Sequence, residues 1–149
     1  LVTDGVDVGL FEELQRNLVP LLKEAGLDAH AVQPVLGGPV GFYRGSAGGQ
    51  ITVANFFDDD AVRIRIPILD GSAPEPRLLA MNNEVYPAGH VYLHYQNDGT
   101  VNVGIAQFLL LTCGYRAIAR TAQLMILWVD GIDDELQAAY GGRRNTDPR

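Results

Sequence analysis

The chain has 149 residues, of which 47% are hydrophobic, and a formal net charge of -7 at pH 7. This length and composition suffice for one hydrophobic core, and no apolar run approaches the ~20 residues that a membrane-spanning helix needs. The negative charge comes without a stripe of Lys and Arg, so the chain should repel phosphate backbones. We therefore expect one domain that binds neither nucleic acid nor membranes.

Cysteine content and the first residues indicate the compartment. Cys113 is the only cysteine, which excludes an intrachain disulfide and favours a reducing compartment, so a cytoplasmic location is expected. The first residues lack the basic and apolar segments of a secretory signal. Because the chain starts at Leu1 rather than Met, we expect a trimmed or partial chain whose true start is missing.

The first predicted element is an amphipathic helix from Val8 to Ala25. Its apolar residues recur at helical spacing, with Asp7 placed to cap the start and Gly26 to cap the end. Pro20 removes a backbone donor inside this helix, on the side expected to face solvent. We therefore expect Pro20 to kink the helix or to split it after Leu18.

Three strands joined by turns are predicted next, after a loop over residues 26–39 that has room for a short extended piece. The strands are Val40–Arg44, Gln50–Phe57 and a segment in which apolar and basic residues alternate, with Val62, Ile64, Ile66 and Ile68 on one face and Arg63 and Arg65 on the other. Pro67 predicts that this last strand is at an edge or irregular near its end. Asp58-Asp59-Asp60 reads as an acidic turn, because a calcium loop is longer and has a distal acid.

A β-hairpin is predicted between Val91 and Phe108, with Asn97-Asp98-Gly99 as its loop. A three-residue loop with Gly99 in the left-handed conformation pairs Tyr95 with Val101, Leu93 with Val103 and Val91 with Ile105. These six side chains should then meet the helices. The other face carries Tyr92, His94 and Asn102, whereas a two-residue loop would mix the two faces.

The remaining predicted elements are helical. A short helix is expected from Leu78 to Val85 and a long one from Tyr115 to Val129, whose apolar end indicates deep burial or contact with a second chain. A last helix runs from Asp133 to Tyr140, with Asp133-Asp134-Glu135 as its acidic first turn. The order α-β-β-β-α-β-β-α predicts an α+β domain over residues 8–142, in which helices cover mainly one face of an antiparallel sheet of about five strands. Residues 143–149 are expected to form a flexible tail.

Residues suited to catalysis or metal binding are few. His90 and His94 are predicted on a strand, where they would lie ~13 Å apart, too far for one zinc ion. Cys113 has no recognisable base and is expected to be a small buried apolar residue. The serines are not in G-x-S-x-G, and no glycine cluster continues into Lys-Ser/Thr. The sequence therefore predicts no enzyme activity, no cofactor and no metal.

Aromatic side chains remain as candidates for a binding surface. They cannot all face one side of a single sheet, so some should lie on its less covered face or at an edge. Either most of them pack beneath the helices, or they line a groove for an extended or helical segment of another protein. The candidate partner-binding residues are Phe42, Tyr43, Phe56, Tyr92 and His94.

The order of elements resembles a known fold. The kinked helix, the three-stranded meander, the short helix, the hairpin from Val91 to Val103 and the closing helix that ends Asp133-Asp134-Glu135-Leu136-Gln137-Ala138-Ala139-Tyr140-Gly141-Gly142 look like the type III secretion chaperone-like fold. The resemblance is greatest to its YbjN-type branch and spans residues 8–142. It implies a small, often dimeric, cofactor-free protein that binds polypeptide segments or regulates through protein contacts.

We therefore expect a homodimeric, chaperone-like module that binds a polypeptide client. Its expected dimer contact is formed by Leu124, Leu127 and Trp128. One alternative is a small-molecule-binding or hydrolytic domain that uses an aromatic-lined pocket with His94 and Cys113. Another is a structural interaction domain with one fixed partner.

Overall fold

The computed structural model describes residues 2–3, 6–33, 38–56, 58–74, 80, 85–86 and 89–147, with the side chains of residues 2–3, 6–8, 55–56 and 85–86 outside the description. Within these residues, two long helices pack on one face of a seven-stranded antiparallel sheet. The predicted α+β class is confirmed. The sheet is larger than the about five strands expected from the sequence.

The elements range from two-residue strands to a helix of 26 residues. In chain order they are β1 Val2–Thr3, β2 Val6–Asp7, α1 Val8–Glu24, β3 Asp28–Ala31, β4 Val40–Arg44, β5 Ala47–Phe56, β6 Asp59–Ser72, β7 Val85–Tyr86, β8 Gly89–Tyr95, β9 Val101–Leu110, a 3-10 turn Leu111–Cys113 and α2 Tyr115–Tyr140. The main sheet has the order β3-β4-β5-β6-β9-β8-β7, and β1 and β2 form a separate two-stranded sheet. The predicted short helix from Leu78 to Val85 falls almost entirely outside the described residues.

Strand β6 lies at the centre of the sheet, and its side chains alternate between the two faces of the sheet. Val62, Ile64 and Ile66 are completely buried on the face that carries the helices. They join a core to which α1 and α2 contribute Leu14, Leu18, Leu22, Ile118, Ala122, Met125, Ile126 and Val129. Burial stabilises the fold by about 1.5–3 kcal/mol for each large aliphatic side chain, so this alternation fixes which way the strand faces.

Pro67 lies in this central strand, so of the two alternatives predicted for it, an edge position or an irregularity, the edge position does not occur. β5 and β9 flank β6 on its two sides. The predicted irregularity is confirmed, because the register between β6 and β9 shifts between Pro67 and Leu69. A shift of this kind accommodates a residue that has no N–H to donate to the ladder.

Helix α1 is uninterrupted, so of the two alternatives predicted for Pro20, a kink or a split after Leu18, the split does not occur. Pro20 lies inside the helix and its side chain is exposed, as the sequence indicates. Water can satisfy a carbonyl group freed on that side, which explains why the helix tolerates the proline. The expected cap, Asp7, has its side chain outside the described residues.

Gly26 ends α1 as predicted. Its φ of 85° lies in the left-handed region, and its N–H donates to the carbonyl of Lys23 at 3.0 Å. The N–H of Leu27 donates to the carbonyl of Leu22 at 3.1 Å. These two bonds form a Schellman cap, with the buried Leu27 as the apolar residue that follows it.

A short extended piece does occur in the predicted loop after α1, and it forms the edge strand β3. Ala29 of β3 is buried opposite Phe42 of β4. Gln15 of α1 holds the ends of the connection that follows, because its amide donates to the carbonyls of Val32 and Pro39, each at 2.9 Å.

The predicted register of the β8–β9 hairpin is confirmed. Tyr95 faces Val101, Leu93 faces Val103 and Val91 faces Ile105. Gly99 has a φ of 85° and lies in a three-residue loop closed by a 2.8 Å bond from Gln96 N–H to the Thr100 carbonyl. The expectation that Tyr95 meets the helices is wrong, because its side chain is 66% exposed at the tip of the hairpin.

Helix α2 continues through the break predicted between Val129 and Asp133. Asp133 therefore lies inside a helix rather than in a first turn, and it is buried. Of the expected dimer residues, Leu124 and Leu127 are exposed, whereas Trp128 is half-buried and packs against the core.

Residues 143–147 bond back onto the domain, although a flexible tail was expected there. The backbone of Arg143 exchanges two 2.8 Å hydrogen bonds with that of Asp70. Arg144 pairs with Asp147 and Asp134, and Thr146 donates to the carbonyl of Ser46 at 3.1 Å. Residues of this polar segment therefore form hydrogen bonds and ion pairs with groups on β6, α2 and the β4–β5 turn.

Aromatic rings lie directly opposite glycines at four places in the sheet. The cross-strand pairs are His30–Gly41, Phe42–Gly49, Tyr43–Gly48 and Tyr92–Gly104. A Cβ atom placed on any of these glycines would come closer than 3.0 Å to a ring atom of the opposite side chain, which is too close for a real Cβ contact. Glycine therefore leaves room for a ring to lie flat across the neighbouring strand, and the ring covers the exposed backbone.

We predict that Gly49→Ala destabilises the protein by about 1–3 kcal/mol, because the new methyl group would overpack the core. It would meet the Arg65 carbonyl as well as the Phe42 ring, each at 2.8 Å. Gly131→Ala in α2 is the matched control, since its Cβ atom meets nothing within 4 Å. It should stabilise by about 0.5–1 kcal/mol. Urea unfolding measures the free energy of unfolding of both variants. Equal changes in the two variants would contradict this packing.

Candidate functional site

The candidate site is the face of the main sheet opposite α1 and α2, here called the open face. Arg63 and Arg65 of β6 project onto it because the residues that alternate with them are buried beneath the helices. On the neighbouring strand β9, Phe108 lies opposite Arg63 and Ala106 lies opposite Arg65. The exposed apolar side chains of Phe108, Leu110 and Tyr43 belong to the same face.

Each of the two arginines lies against an aromatic ring. The guanidinium carbon of Arg65 is 5.3 Å from the centre of the Tyr92 ring, and its Nε donates to the Tyr92 hydroxyl at 2.9 Å. The guanidinium carbon of Arg63 is 5.9 Å from the centre of the Phe108 ring. Contacts of this kind hold a cation by its attraction to the ring face. They also restrict the rotamers of both long side chains.

Neither arginine forms an ion pair within the described part of the chain. The ion pairs seen there join Arg44 to Asp130, and Arg144 to Asp134 and Asp147. The Nε atom of Arg63 is buried and has no hydrogen-bond partner among the described residues. The open face therefore presents two positively charged groups in a protein whose net charge is -7.

A polar cleft adjoins Arg65. It has a volume of about 240 Å³ and is lined by Tyr43, Gly48, Gly49, Gln50, Arg65, Pro67, Asp70, Asn102 and Asn145. A second groove of about 420 Å³ shares Asp70 and Asn102 with it and extends toward the hairpin loop. The first cleft is smaller than the ~300–1,000 Å³ typical of small-molecule pockets. Its dimensions suit a side chain or a stretch of backbone better than a whole metabolite.

The predicted partner-binding residues do not all lie on one exposed surface. Phe42 is completely buried, so its predicted role on a surface is wrong. Tyr43 is exposed on the open face and stacks on His30 with 5.6 Å between ring centres. Tyr92 lies on the same face, His94 is exposed near the hairpin loop, and Phe56 has its side chain outside the described residues.

The sequence interpretation missed Arg63, Arg65 and Phe108 as site residues. Their signal was present, because two arginines alternate with buried aliphatic residues in the most regular strand of the chain. Such residues are usually read as a solvated face. Only the pairing of β6 with β9 and of β9 with β8 brings the aromatic rings beside them.

The structure does not bring His94 and Cys113 together. His94 lies opposite Asn102, whereas Cys113 follows the far end of β9, after Leu110. The nine strand residues from Asn102 to Leu110 span about 27 Å. The two side chains therefore do not form a catalytic pair. Cys113 is exposed, so the prediction that it is buried is also wrong.

Metal binding has no visible site in the part of the chain that the structure describes. No group of three or more His, Cys, Asp or Glu side chains there is placed to hold an ion. All three aspartates of the predicted acidic turn are exposed, but only Asp58 lies in the turn, because Asp59 and Asp60 already belong to β6 and pair with Phe56 and Asn55 of β5.

Asp133 is a buried carboxyl group beneath the β4–β5 turn. The Ser46 hydroxyl donates to its Oδ2 atom, while Oδ1 has no partner among the described residues. Burial raises the pKa of Asp133, and the nearby carboxylates of Asp134 and Asp130 raise it further. The Ser46 hydrogen bond opposes this change. We interpret the Ser46–Asp133 contact as structural, because it ties the turn to α2 beside the Arg44–Asp130 pair.

We predict that Asp133→Asn increases stability more at pH 7 than at pH 4. The folded-state pKa of Asp133 is raised above its ordinary value of 3.8, so the stabilising contribution of the protonated carboxyl group is lost as pH rises through the raised pKa. Asparagine is neutral throughout and keeps an acceptor for Ser46. Ser46→Ala should act oppositely and destabilise more at pH 7. Urea unfolding at the two pH values measures the change in the free energy of unfolding that each substitution causes. A change that is the same at both pH values would contradict the prediction.

Comparison with known proteins assigns no family. No protein-family model matches the chain, and no curated protein matches it. Among the described residues, no helix combines the length and the apolar character needed to cross a bilayer. The functional assignment therefore depends on the geometry of the open face.

Proposed function

We propose that this protein is a non-enzymatic binding module that takes up an extended polypeptide segment on the open face. The observation that carries the proposal is the row formed by Arg63, Arg65, Tyr92 and Phe108 across three neighbouring strands. Arginine and aromatic residues dominate the energetics of protein interfaces, since they combine apolar area with directed hydrogen bonds.

The lining of the cleft supports a polypeptide ligand. Gln50, Asn102 and Asn145 carry amide side chains, which both donate and accept hydrogen bonds. A peptide group has the same two requirements. The cleft also continues into a second groove along the sheet, so an elongated ligand fits this surface better than a compact one.

The proposal agrees with the resemblance of the element order to type III secretion chaperone-like proteins. It requires neither a metal nor a cofactor. We further propose that the protein acts in the cytoplasm, since an exposed, unpaired Cys113 is best preserved in a reducing compartment. Nucleic acid and membranes are not proposed as partners, because the net charge of -7 opposes their phosphate groups.

We predict that Phe108→Ser weakens binding of extended peptides at least about tenfold, because it removes a large exposed ring from the centre of the surface. Tyr95→Ser is the matched control, since Tyr95 is equally aromatic and exposed but lies on the strand face that carries the helices. Fluorescence anisotropy with a library of unfolded peptides measures the affinities. Absence of binding across the library would reject the function, and equal losses in both variants would reject the site.

We also propose a homodimer in which two copies of α2 pack antiparallel. Ala117, Arg120, Leu124, Leu127, Gly131 and Asp134 are all exposed and recur at spacings of three and four residues along the helix. Basic residues lie before the two leucines and acidic residues after them. Antiparallel pairing across a two-fold axis near Leu124 and Leu127 would therefore place the basic half of each helix against the acidic half of the other.

Sedimentation velocity should show a dimer at high micromolar concentration for the wild type and a monomer for Leu124→Glu. The substitution places a charge at the centre of the proposed contact. Leu110→Glu is the control, because Leu110 is similarly exposed but lies on the open face. A wild-type monomer at these concentrations would reject the dimer and would leave the peptide-binding proposal standing.

A further inference from the structure

We propose that the open face selects an extended segment with two carboxylate side chains spaced two residues apart, one contacting Arg63 and the other Arg65. This inference rests on the proposed function, since it names the chemistry of the segment bound there. It predicts a ligand of the form acid-x-acid rather than a purely apolar one.

The spacing of the two arginines carries the inference. Arg63 and Arg65 lie on the same face of β6 with one residue between them, so their Cα atoms are about 6.6 Å apart. Side chains on one face of an extended ligand repeat at the same distance. Carboxylates at positions i and i+2 can thus meet both arginines, whereas adjacent carboxylates point to opposite sides of the ligand.

Charge complementarity identifies the ligand groups as carboxylates. Neither guanidinium group has an acidic partner among the described residues. Arg65 donates to the Tyr92 hydroxyl through its Nε atom, and its two terminal nitrogens have no hydrogen-bond partner among the described residues, so they can meet a ligand. A planar guanidinium pairs with a carboxylate through two parallel hydrogen bonds, and this arrangement adds direction to the attraction.

The surroundings hold the arginines in place before a ligand arrives. Small residues, Gly104 and Ala106, occupy β9 beside Arg65 and let it reach across to Tyr92 on β8. Phe108 holds Arg63 in the corresponding way. Side chains that are already ordered lose less conformational entropy on binding, which favours affinity.

The two arginines set the expected number of ligand acids at two, because each guanidinium group pairs with one carboxylate. Beyond Arg65 the cleft is lined by amide side chains. The segment is therefore expected to continue with neutral polar residues over Gln50, Asn102 and Asn145.

The test uses fluorescently labelled peptides and the full chain. The probe is Thr-Val-Asp-Thr-Asp-Val-Thr with blocked ends, compared with the isomer Thr-Val-Asp-Asp-Thr-Val-Thr and with an analogue in which both acids are Asn. The alternating acidic probe should bind about fivefold to tenfold more tightly than either comparison peptide. Its advantage over the Asn analogue should shrink as salt is raised.

Substitutions of the two arginines test whether the acidic probe binds at the open face. Arg63→Gln and Arg65→Gln should each remove most of the preference for the acidic probe, while Arg16→Gln, on the exposed side of α1, should leave it unchanged. If a Gln variant fails to fold, Arg63→Lys and Arg65→Lys keep the charge and the apolar stem but lose the two parallel hydrogen bonds. These Lys variants should show a reduced preference in a chain that folds.

The outcomes separate this inference from the proposed function. Equal binding of the acidic probe and its Asn analogue would overturn the selection of acids and leave peptide binding intact. Equal binding of the two acidic isomers would overturn the two-residue spacing. Inorganic phosphate or succinate competing as tightly as the peptide would overturn recognition of an extended segment. Failure of every peptide to bind, including the unfolded library, would reject both proposals.

Discussion

The alternation of side chains along β6 is the constraint on which the rest of the structure depends. Val62, Ile64 and Ile66 are buried under the helices, and this burial forces Arg63 and Arg65 to the opposite face. A shift by one residue would bury two guanidinium groups and expose three aliphatic side chains. The same pattern that stabilises the core therefore builds the candidate site.

The open face combines glycines, rings and cations in one arrangement. Glycine beneath Tyr92 and Tyr43 lets these rings lie close to the backbone, and the Tyr92 hydroxyl then receives the hydrogen bond from Arg65. Glycine within strands normally lowers stability, because it has no side chain to pack. Here the neighbouring ring covers the glycine, so a locally unfavourable residue supports a surface suited to binding.

The turn between β4 and β5 shows how distant segments stabilise one another. Ser46 bonds to buried Asp133 of α2, and its carbonyl accepts a hydrogen bond from Thr146 of the last segment. Asp133 keeps one carboxyl oxygen without a partner among the described residues, which is unfavourable when the group is ionised. The continuous helix α2 carries this aspartate into the interior because its neighbours Val129 and Leu136 face the core.

Local patterns in the sequence determined the α+β class, the hairpin register around Gly99 and the inward residues of β6, since periodicity and turn chemistry act between near neighbours. They did not reveal that the extended piece after α1 pairs with β4 as edge strand β3, that α2 is continuous or that Phe42 is buried, because these depend on which strand or helix lies alongside. The candidate site was likewise predictable only in part from local sequence patterns. Sequence alternation assigned Arg63 and Arg65 to one face, but only strand pairing placed Phe108 and Tyr92 beside them, since contacts between distant segments are made by the assembled sheet.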